Sequence, residues 1–132
     1  MSVEFSELTA LEILREMRDS TRLMVSLAYA SVLYNNVEIA REVLEMEGEI
    51  DRLSYELAVR LIIAGKGLRA AQELASLVEV GTAVNMISDS AAEIAHLILI
   101  GMPVPDVVRE VFYRSEEVVG MVTVEKEAQI VG

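Results

Sequence analysis

Two short stretches of this chain carry side chains that could hold a metal ion. The first is EMEGEID, residues 45–51, with carboxylates at Glu45, Glu47, Glu49 and Asp51. The second is NMISDSAAEIAH, residues 85–96, with Asn85, Asp89, Glu93 and His96. Glu47/Asp51, Asn85/Asp89 and Asp89/Glu93 are spaced i,i+4, and His96 follows Glu93 at i+3. Such spacing stacks side chains on one side of a helix, at about 100° per residue. Oxygen ligands on one side of a helix suit metal cations. Like charges at i,i+4 cost a helix roughly 0.2–0.5 kcal/mol per pair. Either cations offset that cost or the site uses the negative charge.

The acidic residues divide into two sets. Glu45 has Arg41 at i−4 and Glu49 has Arg52 at i+3, the pattern of a solvated, cross-linked face. Glu47 and Asp51 have no Lys or Arg three or four residues away. They lie on the line Leu44, Glu47, Asp51, Ser54, Ala58, beside the apolar stripe of their helix. No Lys or Arg occurs from Ala70 to Val108, so Asp89 and Glu93 also lack local partners. Asn85, Asp89, Ala92 and His96 form a second line at a similar distance from the turn joining the two segments. Facing oxygen-rich lines are how helical bundles build metal sites, and Glu47, Asp51, Asn85, Asp89, Glu93 and His96 are the candidate ligands. The competing reading is that these carboxylates face water or meet Arg15, Arg18 or Arg22 from the first helix, with His96 a packing or surface residue.

The elements that must position these lines are helices. Apolar residues recur at 3–4 spacing along Leu11, Leu14, Met17, Thr21, Met24/Val25, Ala28 and Val32. This predicts a helix from about Phe5 to Tyr34, with Ser6 as N-cap, broken by Asn35-Asn36. A second helix is predicted over Val37–Ala64, through Ala40, Val43/Leu44, Ile50, Leu53, Leu57 and Leu61, stopped by Gly65-Lys66-Gly67. A third runs from about Leu68 to Ile100, along Leu74, Leu77/Val78, Gly81, Val84, Ala91, Ala95 and Ile98. Gly101-Met102-Pro103 ends it. A shorter fourth helix is expected from Pro105 to about Met121. Links this short make sequential helices antiparallel neighbours. The expected fold is therefore all-α: an antiparallel bundle of three long helices plus a shorter C-terminal helix over residues 1–121. Residues 122–132 read as an extended tail or a linker to a further domain.

Composition narrows the function. The chain has 132 residues, 53% of them hydrophobic, which suits one domain with a substantial core. A net charge of −11 and a pI near 4.5 argue against nucleic acid, whose phosphates need clustered Lys/Arg. Cysteine is absent, which excludes a disulfide scaffold, a thiolate zinc site and a Cys nucleophile. The acidic start MSVEFSELTALE lacks the basic region of a signal peptide. The longest uncharged run, Leu23–Val37, falls short of the roughly 20 apolar residues of a membrane span. A cytoplasmic protein without direct membrane insertion is expected. Scarce Asn and Gln, with charge mostly from Glu and Arg, point to a thermophilic source.

The run NNVEIAREVLEMEGEIDRLSYELAVRLI resembles the second helix of PhoU-like domains, whose acidic E/D-x-x-x-D motif is matched by Glu47 and Asp51, with Leu53 following. VGTAVNMISDSAAEIAHLI resembles the third helix of that family, with Ile87, Asp89, Ala91, Ile94 and Ala95 in register. The resemblance implies a cytoplasmic three-helix bundle repeat that regulates membrane ion transport, either a potassium channel or transporter or phosphate uptake. It also implies iron or zinc bound through Glu47, Asp51 and Asp89. Asn85 stands where the family usually has Glu and supplies an oxygen without charge, whereas Glu93 and His96 come from geometry alone. Family members hold two such repeats, so one repeat implies a homodimer. The tail VTVEKEAQIVG resembles the lead-in to a TrkA C-terminal domain of potassium-transport regulators. The expected function is regulatory and non-catalytic; the alternative is a metal-free helical homodimerisation or scaffold module. A di-iron enzyme would need paired Glu-x-x-His motifs, and Glu93–His96 has no second copy.

Overall fold

The computed structural model describes residues 3–65 and 67–114, with side chains from residue 9 onward. Four helices follow in order: α1 Val3–Leu33, α2 Val37–Ala64, α3 Leu68–Leu99 and α4 Asp106–Tyr113. The all-α expectation holds, and α2 has the boundaries its sequence predicts. Helix α1 starts earlier than expected, so Ser6 lies within its first turns and is not its N-cap. Residues 115–132, which include the second half of the expected fourth helix and the tail, lie outside the described residues.

Each turn has a local cause. At the end of α1 the Asn36 N–H bonds the Ser31 carbonyl at 3.0 Å and the Asn35 N–H bonds Val32 at 3.3 Å. Asn35 takes a left-handed φ of 47°, a conformation that asparagine tolerates better than most residues. Asn36 then caps α2, its side chain accepting from the Ile39 N–H at 3.0 Å. The same device closes α3: Met102 N–H bonds Leu97 and Gly101 N–H bonds Ile98, at 3.1 and 3.2 Å. Gly101 sits at φ 73°, where the lack of a Cβ removes the steric penalty.

The three long helices all touch one another, while α4 packs on α1 alone. Their shared core runs through Met17, Met24 and Ala28 of α1, Val43, Ile50 and Leu57 of α2, and Ala91, Ala95 and Ile98 of α3. Burying a side chain the size of Met24 or Ile50 contributes about 1.5–3 kcal/mol. Two positions depart from the expected stripes. Leu11 is 40% exposed, because Ala10 and Ile13 set the rotation of that turn. Val78 is half exposed, and the stripe there passes through Leu74 and Gly81. A Cβ at Gly81 would lie 2.7 Å from Leu57 Cδ2, so glycine lets α2 and α3 approach closely. Helix α4 is held by Phe112, whose ring centroid lies 4.7 Å from that of Tyr29.

Candidate functional site

The α2–α3 hairpin sets Glu47, Asp51 and Ser54 opposite Asn85, Asp89 and Glu93. The crossing is fixed by a hydrogen bond in which Ser54 Oγ donates to Asn85 Oδ1 at 3.1 Å. Toward the far end of the hairpin, Glu47, Asp89, Glu93 and His96 line one open depression, with Leu44 and Leu97 among its apolar walls. The two oxygen-rich lines therefore meet, as their spacing predicts.

Glu47 is the electrostatic centre of this site. It is half-buried, whereas Asp51, Asp89 and Glu93 are exposed. Its carboxyl is raised above the ordinary value of 4.5, chiefly by loss of water. The negative charges of Asp51 and Asp89, a side-chain hydrogen bond to Asp89 and the charge of Glu93 push it further in the same direction. Among the described residues no ion pair reaches Glu47, Asp51, Asp89 or Glu93. The arginines of α1 do not supply the missing charge. Arg18 pairs with Asp19 at 3.0 Å, and Arg18 and Arg22 border a different crevice with Thr21, Val84 and Ile87.

The candidate ligands are thus brought together unequally. Asp89 acts on Glu47 from across the hairpin, with Asp51 and Glu93 close enough to repel it. His96 is exposed and lines the same depression, while Asn85 is engaged by Ser54. Among the described residues, no three His, Asp or Glu side chains stand close enough to share one ion. Carboxylates without cations suit a metal by charge, but as they stand these side chains do not form a three-ligand set. The expected ion pairs of the solvated face are also missing: Arg41, Glu45, Glu49 and Arg52 are all exposed, and among the described residues none of them is ion-paired. Pairs between long exposed side chains gain too little to hold one geometry.

Sequence reasoning missed the other half of the hairpin surface. From Ser54–Asn85 toward the turn runs an apolar groove of about 620 Å³, walled by Leu57, Leu61, Ile62, Leu74 and Val78. Small residues, Ala58, Gly65, Ala71 and Gly81, also line it. The available signal was an apolar stripe on both helices wider than one core face requires.

Among the described residues no helix is long and apolar enough to cross a membrane. In comparison with known families, the model of the PhoU domain matches residues 14–98. That span holds most of the three-helix bundle and both oxygen-rich lines. No curated protein matches the chain.

Proposed function

The chain belongs to the PhoU domain family, and from that premise we propose that it is a regulatory, non-catalytic domain controlling ion transport across a membrane. The regulated system is a potassium channel or transporter, or phosphate uptake, and the domain acts from the cytoplasm against the transporter or its regulatory domain. The observation that carries this reading is the meeting of the two acidic lines, Glu47/Asp51 and Asp89/Glu93, within the matched span. Disrupting the gene in its host and following labelled phosphate and rubidium uptake tests it. A change in one flux that the intact gene reverses, and a Glu47→Ala/Asp51→Ala copy does not, is the expected result. Unchanged uptake of both ions refutes it.

Glu47, Asp51, Asp89 and Glu93 would hold a divalent, iron or zinc ion, with His96 at the rim. A bound ion would supply the positive charge this strip lacks. Asn85 contributes least, since Ser54 already engages its oxygen. Binding would require the carboxylates to converge further than they do in this structure. That same separation favours a second reading, a metal-free dimerisation or scaffold module. Elemental analysis of protein purified without added metal distinguishes them. Stoichiometric metal that disappears in the Glu47→Ala/Asp51→Ala variant supports the site; metal-free protein of unchanged stability supports the scaffold. A homodimer is part of either reading, supported by exposed apolar residues such as Leu23, Met86 and Ile87, and sedimentation measures it directly.

A further inference from the structure

The apolar groove and the acidic strip lie end to end along the α2–α3 hairpin as two depressions, the groove ending at Ser54 and Asn85, and together they make a furrow. On α2 it follows Glu47, Asp51, Ser54, Ala58 and Ile62 to Gly65, and on α3 it returns along Ala71, Val78, Thr82, Asn85 and Asp89 to Glu93. Every step is three, four or seven residues, so both lines keep to the same side of their helices. From Glu47 to Gly65 the furrow is about 27 Å long at about 1.5 Å per residue. The hydrogen bond between Ser54 and Asn85 divides it into an anionic half and an apolar half. Small, exposed side chains at Ala58 and Ala71 leave room for a backbone to approach. The chain's own α4 does not use it, because α4 touches only α1.

We propose that this furrow is a docking site for a basic amphipathic helix of a partner protein, its apolar face in the groove and its basic residues over the acidic strip. The inference rests on the regulatory reading above for the existence of such a partner, but its chemistry comes from the furrow. Ile62 is 76% exposed and Val78 50%, so the apolar half presents open hydrophobic surface to a helix. In the anionic half, four carboxylates face one another without an ion pair among the described residues. Arginines or lysines from outside neutralise them, and aligned opposite charges also steer association. Other occupants fit less well. Residues 115–132 of this chain carry Glu116, Glu117, Glu125 and Glu127 against one cation, Lys126, and the strip repels them. A second copy brings a net charge of −11 of its own.

The test uses the full 132-residue chain and a synthetic helical peptide about five turns long, with leucines at 3–4 spacing and several arginines clustered in one half. Fluorescence anisotropy reads its binding at low and moderate salt. The expected result is binding that weakens at least about tenfold in Asp89→Asn/Glu93→Gln and again in Ala58→Phe, which fills the groove from an exposed position. A Glu45→Gln/Glu49→Gln variant removes the same formal charge from outside the furrow and keeps affinity within about twofold. Circular dichroism confirms that each variant is folded. Equal weakening by the control variant, equal binding of a peptide with glutamates in place of arginines, or no binding at all overturns the docking site. Self-association abolished by Ala58→Phe also overturns it, by assigning the furrow to a second copy. None of these outcomes touches the flux experiment, which contains no peptide, so the two readings fail separately.

Discussion

Replacing Glu47 by Gln should make the metal-free protein more stable at neutral pH, although it alters a half-buried residue of the best candidate site. Ionised Glu47 faces Asp51, Asp89 and Glu93, all of which repel it. At roughly 0.2–0.5 kcal/mol for each neighbouring like-charge pair, relief of three such pairs amounts to about 0.6–1.5 kcal/mol. The amide keeps the volume and can still donate to Asp89. The sign of the pH dependence follows from the raised carboxyl. The folded protein holds the Glu47 proton more tightly than the unfolded chain does. The resulting stabilisation is fully present below the ordinary glutamate value of 4.5 and is lost as pH rises through the raised folded value. Urea denaturation at low ionic strength, repeated from pH 4 to pH 8 in chelator, should show the wild type losing ground to the variant across that window. A difference of about 1 kcal/mol corresponds to about 3–5 °C in Tm for a domain of this size. Added salt should shrink the gap, since the repulsion is largely exposed to solvent. A Gln variant that is less stable at pH 7, or that tracks the wild type at every pH, refutes the electrostatic account.

Three further substitutions test the fold. Thr21→Val should raise stability by about 1–2 kcal/mol in thermal or urea denaturation, because Thr21 Oγ1 is buried without a hydrogen-bond partner and valine has nearly the same shape. Asn36→Ala should cost about 1 kcal/mol by the same measurement, through loss of the cap on the Ile39 N–H. Met24→Ala should cost about 2–5 kcal/mol, because Met24 is fully buried and its sulfur also meets the Ser88 hydroxyl at 3.5 Å.

Most of the architecture was legible because its signals are local. The bounds of α2 follow from Asn36 and Gly65, which act through hydrogen bonds to residues three or four away. The facing of the acidic lines follows from an antiparallel hairpin with matched distances from its turn. What stayed hidden depended on rotation or on side-chain freedom. Leu11 fits the periodic pattern as well as Ala10 does, and only packing decides which of them turns inward. The pairing of Arg41 with Glu45 and of Glu49 with Arg52 has the right spacing, but exposed side chains are not bound by spacing. The apolar groove was folded into the core stripe, since sequence does not say that α4 would pack on α1 and leave α2–α3 open.

The division of the furrow at Ser54–Asn85 bears on how the two proposals relate. A glutamate in place of Asn85 could accept the same Ser54 hydroxyl but would extend the repulsion around Glu47 by another charge. Asparagine accepts the Ser54 hydroxyl without adding a charge and ends the anionic half there. The charge that remains, on Asp51, Asp89, Glu93 and the reluctant Glu47, is not arranged as a finished ligand set among the described residues. A metal ion and a row of guanidinium groups would draw on the same carboxylates, so each weakens the other. Titrating the basic peptide in the presence of a divalent cation measures that competition. Affinity should fall as the cation is added, and in Asp89→Asn/Glu93→Gln the fall should be lost along with most of the binding. A cation that strengthens peptide binding would mean that the carboxylates bridge to the partner through the ion, and the two proposals would then have to be joined into one site.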